Sequence, residues 1–308
     1  MMRMTIIGAN GMLSAAFTKF FYSQKDTEVF VYGLDAPKGY NCHMFRQVNL
    51  LSDYLDYDEI VYSDIIIYAS GAGVQSVLNE NAYLMYQLNV NIPINITLKL
   101  KEKGYKGVFM SFGSYMEIGA NNDEYRAFSE EDILQSTLPV LSDYAISKRV
   151  FSRYISSMHA GFVIWHFILP NLFSYNDITG GTRLIPYVIS YLKDVKMGLT
   201  PPPPHFSTGS QIRQFVLLEE IPRIVEKAIE KNMETGVYNV GGGDVMTIRE
   251  SIELLFKLFD VECSPLFFGK DIRRDDDIKC LKIEGRKLLN EIGFLPNTHL
   301  CDILNVNK

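Results

Sequence analysis

Tyr144 and Lys148 lie four apart in Tyr144-Ala145-Ile146-Ser147-Lys148. That spacing puts both side chains on one face of a helix, a turn apart. An ammonium beside a phenol favours the phenolate, so such a tyrosine can exchange a proton below its ordinary pKa of about 10. The pair is a candidate general acid and base. The same five residues also suit an ordinary amphipathic helix, and the spacing arises often by chance. Ser111 is a second candidate, because it follows the apolar run 106–110 and a hydroxyl at the carboxyl end of a strand can hydrogen-bond a substrate oxygen. A serine there is otherwise a turn residue or a helix cap.

Elements elsewhere must hold these groups in place. Residues 3–7 form an apolar run that breaks at Gly8-Ala9-Asn10-Gly11-Met12-Leu13-Ser14, and a helical pattern continues through Tyr22. Strand, glycine turn and helix form the setting of a dinucleotide-binding fingerprint. Gly8 permits the tight turn, and Gly11 lets the N–H groups that open the helix approach a pyrophosphate, with Asn10 and Met12 in the same turn. Ser14 stands where a third glycine would, so a plain strand-to-helix turn is the competing reading. The next apolar run, 29–34, ends in Asp35, placed to accept hydrogen bonds from an adenosine ribose. That favours NAD, while Lys38 could meet a 2′-phosphate and keeps NADP open.

Strand and helix patterns keep alternating. Residues 45–48 lead to Asn49-Leu50, and 64–68 close in Ala69-Ser70-Gly71. A long helical pattern over 77–103 contains Asn89, the run 106–110 ends at Ser111, and a helix from Tyr144 to about Met158 precedes an apolar run at 162–169. Each strand is followed by small or polar residues at its carboxyl end, where open α/β sheets bind ligands. The pattern predicts an α/β fold, a Rossmann-type doubly wound parallel sheet with a smaller C-terminal substrate-binding part. Residues 1–170 would form the dinucleotide-binding domain and 171–308 the smaller part, with 209–245 returning partly to the sheet.

The composition narrows the partners. Among 308 residues, 47% are hydrophobic and 21% charged, with a net charge of −6, as in a soluble globular protein. An acidic balance argues against a nucleic-acid partner, which demands a basic face. The four cysteines form no C-x-x-C and the five histidines show no metal-ligand spacing, so reduced thiols and no metal are expected. The most apolar stretch, 161–173, contains His166 and Pro170 and is too short for the ~20 residues that span a bilayer. No cleavable leader is evident at the start, and a cytoplasmic protein without a membrane partner is expected.

Together these residues resemble the extended short-chain dehydrogenase/reductase family, in its nucleotide-sugar epimerase/dehydratase/reductase branch. Gly8, Gly11 and Ser14 are similar to G-x-x-G-x-x-G with the last glycine replaced. Ser111, four before Tyr115, resembles the catalytic serine or threonine of S-x-x-x-Y, and Tyr144 with Lys148 resembles Y-x-x-x-K. Asn89-Val90 is similar to an N-V segment beside the nicotinamide. Asn171 resembles the asparagine of R-x-x-N-x-Y-G, with Ile168 where arginine is usual. Residues 209–216 are similar to G-x-Q-x-R-x-F-V, and 293–296 to G-W-x-P. Such matches, all in order along the chain, outweigh any one of them.

The resemblance implies an oxidoreductase or epimerase that binds NAD and a nucleotide-diphosphate sugar. Tyr144 would be the acid/base, Lys148 would lower its pKa and hold the nicotinamide ribose, and Ser111 would orient the sugar oxygen. Arg213 and Arg274 would pair with the diphosphate, and Asn171 would line the substrate site. Dehydration is disfavoured, because the family places Asp-Glu after its catalytic threonine and Phe112-Gly113 follow Ser111. A deoxysugar 4-ketoreductase is the leading expectation and a 4-epimerase with retained NAD the alternative. An idle NAD(P)-binding sensor or partner module is the reading from another class. A homodimer through the Asn89 and Tyr144 helices is carried over from the family.

Overall fold

A computed structural model of the chain describes residues 1–73, 81–174, 183–271 and 278–304. Its centre is β1 (Met2–Ile7), where Met4, Ile6 and Ile7 are fully covered. Parallel strands are covered on both faces and therefore read as apolar runs. β2 (Thr27–Gly33), β3 (Met44–Gln47), β4 (Ile65–Tyr68), β5 (Val108–Ser114), β6 (Val163–Leu169) and β9 (Gly236–Asn239) complete a seven-stranded sheet in the order β3-β2-β1-β4-β5-β6-β9. Every pair in it is parallel. This is the doubly wound sheet expected. The strand order turns around between β1 and β4, and the carboxyl ends of the strands open a crevice at such a point.

Helices cover both faces. On one, Phe17 and Phe21 of α1 (Met12–Tyr22) pack with Ile224 and Val225 of α8 (Ile221–Glu230) and Leu288 of α10 (Arg286–Ile292). On the other, Ile96 and Leu100 of α4 (Ile92–Glu102) meet Phe151 and Ile155 of α6 (Asp143–Ser156). A second sheet, β10-β8-β11 with β7 (Asn171–Phe173) on the other flank of β8 (Ile212–Leu217), lies in the C-terminal part. Its β10 is Asp244–Thr247 and its β11 is Cys280–Leu281. Over it pack α7 (Leu184–Lys196) and α9 (Ile248–Leu258) through Val188, Leu192, Ile252 and Leu255.

Two elements differ from the sequence reading in ways that matter for the site. β5 runs on to Ser114 instead of ending at Met110. The helical pattern over 77–103 is, within the described residues, α3 (Ala82–Tyr86), a wide turn at Gln87–Asn91 and then α4. Pro93 has no N–H to donate, and the ladder there widens so that Ile92 N bonds Gln87 O. Such π turns carry functional residues often, and this one carries Asn89.

Candidate active site

Gly8 sits at φ +114°, and a Cβ on it would lie 2.7 Å from Ser70 Oγ and 2.9 Å from Ser70 N. Only glycine lets the ends of β1 and β4 come this close. Gly11 caps α1 in an extended conformation, and no side chain satisfies the first-turn N–H groups. An uncapped helix N-terminus presents those donors and its dipole to an anion. The loop after β2 is laced over this turn. Asn10 Nδ2 donates to Asp35 O (3.3 Å) and Ala36 O (3.2 Å), Asn10 Oδ1 accepts from Lys38 N (3.0 Å), and Tyr40 Oη donates to Ala9 O. Asp35 is thereby held exposed beside the turn.

Met12 differs, because its side chain is buried in the core and only its backbone belongs to the turn. Ser14 is fully buried, and its hydroxyl has no hydrogen-bond partner. Asn49 and Leu50 form the turn after β3, where Asn49 Oδ1 accepts from Leu51 N at 3.1 Å. A glycine that a Cβ would crowd, an uncapped helix start and an acidic residue at the next strand fit a dinucleotide.

Ala69, Ser70 and Gly71 follow β4 in the same crevice. Asn89, buried in its wide turn, ties them to the helix opposite. Its Oδ1 accepts from Ala72 N (3.1 Å), and its Nδ2 donates to Ala72 O (3.0 Å) and Ser147 Oγ (2.9 Å). Ser147 lies between Tyr144 and Lys148, so one amide joins the crevice loop to the helix with the acid/base pair.

That helix, α6, begins at Ser142, whose Oγ accepts from Ala145 N at 3.3 Å. Tyr144 is in its first turn and Lys148 one turn on. The structure corrects two expectations here. The Lys148 ammonium is directed at a strand rather than at the phenol, and Nζ donates to Phe112 O at 2.9 Å. Burial pulls its pKa down to about 8, against the charge of Glu117. Burial also raises the pKa of Tyr144, with Glu117 adding to the rise; a hydrogen bond from the Ser114 side chain and the charge of Arg183 oppose it. The net effect favours the phenol form of Tyr144.

Ser111 is the second correction. Its hydroxyl is fully buried and bonds His166 Nδ1 at 2.8 Å, and His166 Nε2 bonds Ser152 Oγ at 2.8 Å. Ser111 lies three residues inside β5, opposite His166 in the register, and its hydroxyl is committed there. Ser114, the last residue of β5, is the hydroxyl that meets Tyr144. A capping box closes the turn after it: Ser114 Oγ accepts from Met116 N (3.3 Å), and Glu117 Oε1 accepts from Ser114 N (2.7 Å). Ser-x-x-Glu is a signature legible in sequence.

The substrate candidates are less gathered. Asn171 opens β7, half-buried, beside Phe215 of β8. Arg213 is 2% exposed, and its Nη1 donates to Ile212 O (2.9 Å) and Ile278 O (3.0 Å). These bonds tie it to β8 and to the segment entering β11. Arg274 lies outside the described residues. Arg183, which precedes α7 and acts on Tyr144 through its charge, was not singled out by the sequence reading. No local pattern marks it. Among the described residues no group of three or more His, Cys, Asp or Glu could hold a metal, and no helix is long and apolar enough to cross a membrane.

Residues 4–241 match the model of the NAD-dependent epimerase/dehydratase family. A dTDP-glucose 4,6-dehydratase of Streptomyces griseus is 23% identical over 120 residues, which are 39% of this chain and 34% of that protein. The chain thus aligns with about a third of that relative's length. Three solved structures share the fold over nearly the whole chain. The Bordetella bronchiseptica enzyme WbmG in complex with NAD has a TM-score of 0.76 at 17% identity, covering 99% of this chain and 92% of that one. A Bacillus anthracis dTDP-glucose 4,6-dehydratase in complex with NAD has 0.77 at 14%, covering 99% and 96%. A Thermotoga maritima UDP-glucose 4-epimerase with UDP-glucose has 0.76 at 16%, covering 96% and 94%.

Proposed function

This chain belongs to the NAD-dependent epimerase/dehydratase family, and from that premise we propose that it binds NAD in the crevice at Gly8 and carries out redox chemistry on a nucleotide-diphosphate sugar, most specifically reduction of a 4-keto sugar. The observation that carries the reading is the placement of Tyr144, in the first turn of α6, against the Ser114 hydroxyl at the carboxyl end of β5. Gly8, Asn10, Gly11, Met12 backbone, Asp35 and the 69–71 turn would hold the dinucleotide, with Asn49, Leu50 and Asn89 behind them. Bound there, the nicotinamide supplies hydride chemistry.

The chain's own residues do the rest. Ser114 hydrogen-bonds the reacting sugar oxygen and keeps it beside Tyr144. Tyr144 gives that oxygen its proton as negative charge develops on it, a general-acid contribution of about 10²–10⁴-fold. Lys148, fixed to Phe112 O, contributes positive charge beside Gly71. Residues 171–308 would supply the sugar-nucleotide site, with Asn171 and Arg183 near the sugar and Arg213 and Arg274 assigned to the diphosphate. The same reading places a homodimer in the cytoplasm, joined through exposed Leu98 of α4 and Ile146 and Val150 of α6.

Dehydration stays among the candidate reactions, because several similar structures are dehydratases. After Ser114 stand Tyr115 and Met116, and the carboxylate that follows, Glu117, is 1% exposed and turned onto Ser114 N. The assay therefore keeps all three reactions. NADH or NADPH is offered with dTDP- and UDP-4-keto sugars, and the parent sugars are offered with the protein as purified. Stoichiometric cofactor oxidation supports the reductase. Inversion at C4 with bound NAD and no net consumption replaces it with the epimerase, and loss of water replaces it with the dehydratase. Cofactor binding without any turnover marks an idle module.

A further inference from the structure

Behind the Tyr144–Lys148 pair lies a carboxyl that the proposed reaction does not use. Glu117 is 1% exposed. Its Oε1 is tied to Ser114 N at 2.7 Å, while its Oε2 is buried with no hydrogen-bond partner of good geometry. A Cβ on Gly113 would lie 2.6 Å from Glu117 Oε1 and 2.8 Å from His166 Nε2. A glycine inside β5 is thus what admits the carboxyl beside the imidazole. The groups facing it are Tyr144, Lys148, Arg149 and Ser152 of α6, Ser114 of β5 and His166 of β6. A glutamine would close the same capping box, so the turn does not require the charge. Burying a charge is costly unless it is compensated, and perturbed carboxyls gather at functional sites.

We propose that Glu117 is a positioning residue of this site, whose charge sets how tightly Tyr144 and Lys148 hold their protons. The inference rests on reading Tyr144 as the acid/base. As an anion Glu117 opposes phenolate at Tyr144 and keeps Lys148 an ammonium; once protonated it does neither. Burial pushes its pKa up to about 7, although the Ser114 N–H, the Ser152 hydroxyl, Lys148 and Arg149 all favour the anion. The switch therefore falls near neutral pH. His166, held neutral by burial and by Lys148, completes the pocket without adding charge.

The test is Glu117→Gln in the full chain, with tyrosine ¹³C-labelled at the ring carbon bearing oxygen and the Tyr144 signal assigned by Tyr144→Phe. We expect the Tyr144 titration to move to lower pH in Glu117→Gln, with NADH binding and melting temperature near those of the wild type. An unmoved Tyr144 titration overturns the proposal. Should Glu117→Gln fail to fold, the wild type alone decides. Its Tyr144 signal should show an inflection near neutral pH in step with a titrating carboxyl band in the infrared, and absence of that inflection overturns the proposal equally. Neither readout needs a substrate. Failure to turn over any nucleotide sugar would sink the proposed function and leave the Glu117 result standing.

Discussion

Replacing Ser114 and Ser111 separately by alanine should divide function from stability. Ser114→Ala removes the hydroxyl that meets Tyr144 and, in the proposed mechanism, the sugar oxygen. Losing one donor aimed at developing negative charge costs about 10²–10³ in kcat, or about 2.7–4 kcal/mol. The fold should lose only the cap on Met116 N, about 1 kcal/mol, because Glu117 still bonds Ser114 N. Ser111→Ala does the reverse. It leaves His166 Nδ1 without its 2.8 Å partner in a fully buried site, and an orphaned buried polar group costs about 1–3 kcal/mol. At about 2–4 °C per kcal/mol for a large domain, the melting temperature should fall by several degrees. Turnover should stay close to the wild type. Initial rates of cofactor oxidation and thermal melts, run on both variants in one buffer, give the comparison. A Ser111→Ala protein that melts normally but has lost a hundredfold in kcat, beside an active Ser114→Ala, would refute the assignment.

Four further outcomes follow from the same geometry. Tyr144→Phe should lower turnover by about 10²–10⁴-fold and leave NADH affinity, read by fluorescence titration, nearly intact. Gly8→Ala places a Cβ 2.7 Å from Ser70 Oγ at φ +114°, so NADH binding should be lost and stability, read from thermal melts, should fall by more than the ~1 kcal/mol that a strained backbone alone costs. Ser14→Ala removes a fully buried hydroxyl without a partner and should raise the melting temperature, since an unsatisfied hydroxyl costs about 1–3 kcal/mol and alanine is the better helix former. His166 has its pKa lowered from 6.5 to about 3 by burial. The unfolded chain binds that proton first, so its contribution is complete above 6.5 and is lost as pH falls toward 3. Melting temperature against pH should accordingly flatten over that acid range in His166→Gln.

The alternation of strands and helices was legible because strands buried on both faces must be apolar throughout, as Ile65 to Tyr68 are, and because glycine at position 8 answers a steric demand. Tyr144 and Lys148 were legible as one face of a helix, since the period of a helix is fixed. What the lysine points at was not, because an ammonium on a flexible stem takes whichever acceptor the fold offers, here Phe112 O. The misplaced serine has a more instructive cause. The small and polar residues of Ser111-Phe112-Gly113-Ser114 break the apolar pattern after Met110. Gly113 is instead a strand residue made small by the crowding of Ile168, Glu117 and His166. Three residues of strand advance the chain by roughly 10 Å, enough to separate a hydroxyl inside the sheet from one at its edge. The capping signature Ser114-x-x-Glu117 marks where the strand gives way, and it does so through the same carboxyl that lies behind the acid/base pair. The residue that defines the end of β5 and the residue proposed to tune Tyr144 are therefore one. A substitution at 117 must be a glutamine if turn geometry is to be separated from charge.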